Sequence, residues 1–179
     1  MITQSILKID HPKISNLTLR LLKREDAKQL FSVIDRNRDH LSQHLIWVDS
    51  CKSWQDELKF IEKFIEQYQN KYALALVLCE STSIIGMVSF IKFDWDKQTT
   101  ELGYWIDQAQ QGKGIILHAC KTMIEYGFNK LGLKSIIIKC AVANTRSNKI
   151  PQALGFNLIN TVIEDGRETS IWLYEGNRM

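Results

Sequence analysis

Residues 99–131 read TTELGYWIDQAQQGKGIILHACKTMIEYGFNKL, and the change of pattern inside this stretch decides the fold. Thr99–Asp107 has the β-branched and aromatic content of a strand. A polar, Gly-containing loop follows. From Gly112 to Leu131, residues Ile116, Cys120, Met123, Ile124, Gly127 and Leu131 recur three and four apart, which is one face of a helix, and Gly132 stands where a C-cap is needed. Lys134–Cys140 then contains Ile136-Ile137-Ile138, a run that predicts a strand covered on both faces. Strand, helix and strand in this order form a right-handed crossover between parallel strands.

Upstream, Leu17–Leu22 reads as a strand, and Arg24-Glu25-Asp26 opens a helix toward Ile34. A short helix is expected over Arg38–Leu45. Ser53 and Asp56 have capping-box spacing. The helix behind them places Leu58, Ile61, Phe64, Ile65 and Tyr68 on one face and Glu57, Lys59, Glu62, Lys63 and Glu66 on the other. Tyr72–Cys79, Ile84–Phe93 and Thr99–Asp107, separated by Ser81-Thr82-Ser83 and Asp94–Lys97, read as an antiparallel meander. Downstream come a short helix at Ser147–Leu154 and strands at Asn157–Ile163 and Glu168–Tyr174. Pro151 removes a helical hydrogen bond unless it lies in the first turn, so a short or distorted helix is expected there. With no linker or repeat, the chain is α+β, one domain over residues 1–179. A mixed, mainly antiparallel twisted sheet flanked by helices carries one β-loop-α-β unit.

Composition excludes several classes. The 23 basic and 20 acidic residues leave a net charge of +3, too small and too scattered to argue for nucleic acid. No stretch approaches the roughly 20 apolar residues of a membrane span, and MITQSILKIDHPK has no apolar core of signal-peptide length. Cys51, Cys79, Cys120 and Cys140 lie far apart with no CxxC pair. No metal site is therefore expected, and reduced thiols in a cytoplasmic protein are.

Chemistry enters at Tyr104-Trp105-Ile106-Asp107 followed by Gln111-Gly112-Lys113-Gly114-Ile115-Ile116. Backbone N–H groups at a helix start have no intrahelical partner, and with the helix dipole they make a phosphate site. Glycine lets such a ligand approach the backbone. Two glycines easing a turn would look the same. The loop lacks the GK[ST] of a nucleotide-triphosphate loop and the GxGxxG of a dinucleotide fold.

In company with other blocks, this loop resembles that of the GNAT acetyltransferase superfamily. The family pattern is Q/R-x-x-G-x-G/A, with Gln111 first, Gly114 fourth, and Ile116 where Gly or Ala is usual. Asn144-x-x-Ser147, Leu154-Gly155-Phe156 and Glu101-x-Gly103-Tyr104-Trp105-Ile106-Asp107 match further blocks. Arg20-Leu21-Leu22 and Asn37-Arg38-Asp39-His40-Leu41 are similar to the opening of the RimL-like and YdaF-like ribosomal-protein N-acetyltransferases. The sequence Gly114-Ile115-Ile116 and Pro151 look like the YdaF-like branch.

The resemblance implies an enzyme that moves an acetyl group from acetyl-CoA to a primary amine without a metal. It implies that backbone groups of Gln111, Gly112, Lys113, Gly114, Ile115 and Ile116 hold the pyrophosphate. Trp105 and Ile106 would pair with the pantetheine, and Asn144 would orient it. Ser147 occupies the position that protonates the CoA thiolate, although serine is equally a helix N-cap. Glu164 is the matching base and Glu101 its rival, each otherwise an exposed carboxylate. The acceptor implied is a protein N-terminus, ribosomal by analogy. A small amine (polyamine, amino acid or aminoglycoside) and a non-catalytic acyl-CoA-binding module are the alternatives. Similar proteins are often homodimers. Cys140, ending an apolar strand, reads as packing, and His118 has no apparent partner. Trp47, Trp54 and Tyr68 line an acceptor groove or simply pack.

Overall fold

A computed structural model describes residues 6–176 of the chain, so residues 1–5 and 177–179 of the expected domain lie outside it. The elements run β1 (Ile6–Lys8), β2 (Leu17–Leu21), α1 (Ala27–Arg36), α2 (Arg38–Leu41), α3 (Trp54–Gln69), β3 (Leu74–Glu80), β4 (Ser83–Asp94) and β5 (Thr99–Ile106). Then follow α4 (Ile115–Leu131), β6 (Ser135–Ala141), α5 (Thr145–Ala153), β7 (Asn157–Glu164) and β8 (Arg167–Glu175). The strands form one sheet in the order β1-β2-β3-β4-β5-β6-β8-β7. β5 and β6 are parallel neighbours and every other pairing is antiparallel. The expected α+β architecture, its meander and its crossover are all present.

Local chemistry sets the start of α3 and both ends of α4. Ser53 Oγ accepts the Asp56 N–H to begin α3. α4 is bracketed by Gly114 at φ 79° and Gly132 at φ 68°, both left-handed positions that a side chain would strain. Apolar stripes then fix the layers. Ala119, Cys120 and Met123 of α4 pack with Leu102, Ile136 and Ile138 on one face of the sheet. Leu30 and Ile34 of α1 and Ile61 of α3 pack with Val77, Met87 and Trp105 on the other.

Two expectations need correction. β6 is not covered on both faces: Ile136, Ile138 and Cys140 are buried, while Ile137 and Lys139 are half-exposed. α4 and α5 pack over the first set, and the second is left half-exposed. Glu57 does not belong to the solvated face of α3, because it precedes Ile61 by one turn and shares its inward stripe. It is 2% exposed, and one of its carboxyl oxygens has no hydrogen-bond partner.

One departure from regular pairing positions the site. β5 meets β6 only at Thr99–Ser135, Thr100–Ile136 and Glu101–Ile137. β5 nevertheless stays paired to β4 as far as Ile106, and β6 stays paired to β8 as far as Ala141. The two strands therefore diverge beyond Glu101, and a wedge opens in the middle of the sheet.

Burial raises the Glu57 carboxyl to about 7 from an ordinary 4.5. Because the folded state then holds this proton more tightly than the unfolded chain, the stability that it contributes at low pH is lost as pH rises from about 4.5 through about 7. Glu57→Gln should therefore be more stable than the parent at pH 8, by on the order of 2 kcal/mol. The advantage should shrink toward pH 5, as read by thermal melting across that range.

Candidate active site

The wedge between β5 and β6 leaves one edge of β5 unpaired from Leu102 to Ile106, where alternate backbone N–H and C=O groups can receive an extended ligand as an added strand. The corner beyond it is held rigidly. Asp107 ends the strand, accepting the Ala109 N–H at 3.1 Å and the Arg36 guanidinium Nε–H at 3.1 Å. Burial raises the Asp107 carboxyl, but Arg36 and these hydrogen bonds outweigh it and hold the group below the usual carboxylate range. Asn37 Oδ1 accepts the Gln108 N–H at 2.9 Å while its amide donates to Val33 O at 2.7 Å. Gln111 Nε2 donates to His40 Nε2 at 2.6 Å, and Gln111 Oε1 accepts from Arg146 at 2.7 Å. The junction of α1 and α2 thus grips the strand end and the loop at three points.

Gly112 and Gly114 have φ of 76° and 79°. The first helical hydrogen bond of α4 is from His118 N–H to Gly114 O at 3.2 Å. The N–H groups of Ile115, Ile116 and Leu117 precede it and have no acceptor inside the helix. They face the loop at the positive end of the helix dipole. The side chains of Ile115 and Ile116 are buried in the core. Only the backbone of Ile116 addresses the loop, which explains why an isoleucine is accommodated where Gly or Ala is usual. Lys113 is exposed and donates to Gln110 Oε1 at 2.6 Å. Trp105 and Ile106 are buried on opposite faces of the sheet, so their contribution to the wedge is backbone.

α5 lies beside the wedge. Its N-cap is Asn144, whose Oδ1 accepts the Ser147 N–H at 3.1 Å. Serine is therefore not the cap, and its hydroxyl is free for other work: Ser147 Oγ donates to Tyr104 Oη at 3.2 Å and lies 3.1 Å from Cys140 Sγ. Burial pushes the Cys140 thiol up, so it stays neutral and serves as a donor toward Ser147. Pro151 lies inside the helix, past its first turn, yet the helix is regular through Ala153. The missing N–H would have paired with the carbonyl four residues earlier, that of Ser147. Tyr104 supplies the bond instead, donating its hydroxyl to Ser147 O at 3.0 Å.

The carboxylate candidates stand on the opposite face. Glu101 in β5 and Glu164 at the end of β7 are bridged by Lys139 of β6, whose Nζ is 2.5 Å from Glu164 and 3.7 Å from Glu101. Burial raises the Glu101 carboxyl, Lys139 lowers it, and Glu164 raises it further, for a net rise. Hydrogen bonding to Glu164 raises Lys139. Sequence reasoning missed Lys139, Tyr104, Arg36 and Arg146. The one visible signal was a lysine between Ile138 and Cys140, directly after an apolar run. On this same face Trp47 stacks on Phe60 and lies 6.3 Å from Trp105, whereas Trp54 is an exposed partner of Lys28. Tyr68 packs against the other core. Among the described residues no cluster of three His, Cys, Asp or Glu could hold a metal, and no helix is long and apolar enough to cross a membrane.

Comparison with known proteins gives this geometry a family. Residues 16–157 match the model of the acetyltransferase (GNAT) domain. The chain is 31% identical over 143 residues to the ribosomal-protein-serine acetyltransferase of Escherichia coli (strain K12), covering 80% of each. It is 32% identical over 145 residues to YdaF of Bacillus subtilis (strain 168), covering 79% of this chain and 78% of that one. Among solved structures, the microcin C7 self-immunity acetyltransferase MccE in complex with acetyl-CoA and AMP is 30% identical with a TM-score of 0.84, over 89% of this chain and 92% of that one. The RimL ribosomal L7/L12 acetyltransferase in complex with coenzyme A shares the fold at a TM-score of 0.86 and 22% identity, over 92% and 96%.

Tyr104 and Pro151 should behave as a coupled pair. Tyr104→Phe leaves the Ser147 carbonyl unpaired and is expected to cost about 1–3 kcal/mol. Adding Pro151→Ala restores the helical N–H, and the double variant should recover most of that loss. A denaturant-unfolding double-mutant cycle measures the coupling.

Proposed function

The chain belongs to the GNAT N-acetyltransferase family, and from that membership we propose that it acetylates the N-terminal α-amine of a protein, a ribosomal protein first among the candidates. The observation that carries the reading is the division of labour across the wedge. A hydroxyl, Ser147, lies on one face of the sheet and a carboxylate pair, Glu101 and Glu164, on the other. Acetyl-CoA, the co-substrate, supplies the acetyl group activated as a thioester. The unpaired edge of β5 and the free N–H groups at the start of α4 suit a pantetheine amide and a diphosphate respectively. Asn144 serves this site by starting α5 and so presenting Ser147.

An α-amine titrates near 8 and must lose one proton before it can attack. Glu164 or Glu101, directly or through a water, accepts that proton. The carbon–nitrogen bond forms as the carbon–sulfur bond breaks; the Ser147 hydroxyl gives its proton to the departing thiolate and takes back, directly or through a water, the second proton that the nitrogen sheds as it becomes an amide. Cys140 and Tyr104 hold the serine hydroxyl in place. The four cysteines are free and buried, which suits the reducing cytoplasm where such acceptors are made.

A small primary amine is a second reading, favoured by the 30% identity to a solved acetyltransferase whose complex holds a small molecule, AMP, as well as acetyl-CoA. Turnover with acetyl-CoA, compared between peptides beginning with Ser or Ala and a panel of polyamines, amino acids and aminoglycosides, tests the choice. Preference for peptides supports the first reading, and turnover confined to small amines removes it.

The carboxylates make a signed prediction. Because the raised Glu101 carboxyl must be ionised to act, activity falls as pH drops through its value. Of Glu101→Gln and Glu164→Gln, the variant that removes the base should lower kcat/KM at pH 7 by about 100-fold or more, and the other should fall less. Lys139→Met removes the cation that lowers Glu101 and should move the acidic limb of the pH–rate profile to higher pH. A limb unmoved by Lys139→Met would exclude Glu101 as the base.

A further inference from the structure

His11 lies in the connection between β1 and β2, far in sequence from the phosphate loop, yet the fold brings the two together. Its Nδ1 accepts the backbone N–H groups of Lys13 at 3.2 Å and Ile14 at 3.1 Å. A ring nitrogen that accepts carries no proton, so the proton of the neutral ring is on Nε2. That nitrogen lies 2.8 Å from Lys113 O and donates to it. The His11 ring also stands edge-on to His118 of α4, with centroids 4.8 Å apart. A Cβ built on Gly114 would be 3.8 Å from His11 Nε2.

The Lys113–Gly114 peptide is trans, so its C=O and N–H point in opposite directions. Holding the Lys113 carbonyl toward His11 turns the Gly114 N–H away from it. The plane of this peptide turns about ψ of Lys113 and φ of Gly114, and Gly114, at positive φ, has no side chain to stop that rotation. Released from His11, the plane can turn its carbonyl oxygen toward an anion instead of its N–H. The charged and titratable groups around the loop are Lys113, tied to Gln110, His118 on α4, and His40 and Arg146 on Gln111. None of these contacts is to the Lys113–Gly114 peptide.

We propose that His11 is a positioning residue for the coenzyme: it fixes the Lys113–Gly114 peptide so that the Gly114 N–H is available to the diphosphate. This rests on the coenzyme reading given above. The histidine contributes no contact to the reacting atoms, so its effect falls on binding and not on chemistry.

Calorimetric titration with acetyl-CoA and steady-state kinetics, both on the full chain, test it. His11→Ala should weaken acetyl-CoA binding by ~10-fold, the worth of about one hydrogen bond. Its KM for acetyl-CoA should rise in parallel, while kcat at saturation and KM for the acceptor stay at parental values. His11→Gln, which keeps an N–H donor at similar reach, should recover most of the affinity. His11→Glu offers only an acceptor to the carbonyl and should not. The Gln and Glu variants decide the matter even if His11→Ala folds poorly. A parent that binds together with a His11→Ala that binds equally well, or Gln and Glu variants of equal affinity, overturns the proposal alone. A parent that fails to bind acetyl-CoA overturns the coenzyme reading and this proposal with it.

Discussion

The partial pairing of β5 with β6 is the constraint on which the rest of the molecule depends. Three matched residues at Thr99–Glu101 hold the strands together, and beyond them each strand keeps its other neighbour and turns away. A sheet that opens in its middle exposes backbone groups that ordinarily cost free energy when unpaired. The protein accepts this because the strand end is fixed from outside the sheet. Arg36 on Asp107, Asn37 on the Gln108 N–H and His40 on Gln111 anchor the chain just past the strand end, without pairing the open edge itself.

The same divergence organises the chemistry. A strand presents alternate residues to opposite faces, so Tyr104 and Cys140 meet Ser147 on the α5 side, while Glu101 and Lys139 meet Glu164 on the other. The Ser147 hydroxyl and the Glu101 and Glu164 carboxylates are kept apart by the thickness of the sheet itself. Lys139 adds a control: one cation between two carboxylates leaves that face with a single net negative charge when all three are ionised.

Much of this was legible in sequence because it is periodic or local. The apolar faces of α3 and α4, the three-strand meander and the crossover follow from spacings of two and of three to four residues. The glycine caps of α4 follow from backbone geometry. Glu57 was misread because its neighbours on the helix surface are charged, and a single residue's inward turn is weaker than the pattern around it. β6 was misread because Ile136-Ile137-Ile138 reports apolar content and not what stands opposite. The Lys139 bridge, the Arg36 clamp and the His40–Gln111–Arg146 contacts join residues 25 to 71 positions apart, and no window of sequence contains both partners. Family resemblance singled out Ser147, Glu164 and the loop as expectations, and it gave no role to Lys139, Arg36 or Arg146, which the fold brings against them.

The proline in α5 ties two distant positions together. With an N–H at position 151, the Ser147 carbonyl would have a helical partner and a change at Tyr104 would not orphan it. With proline there, the tyrosine hydroxyl is the donor which that carbonyl receives. A substitution at position 104 is therefore no longer a local matter of the sheet, because it is felt in the backbone of the helix beside the wedge.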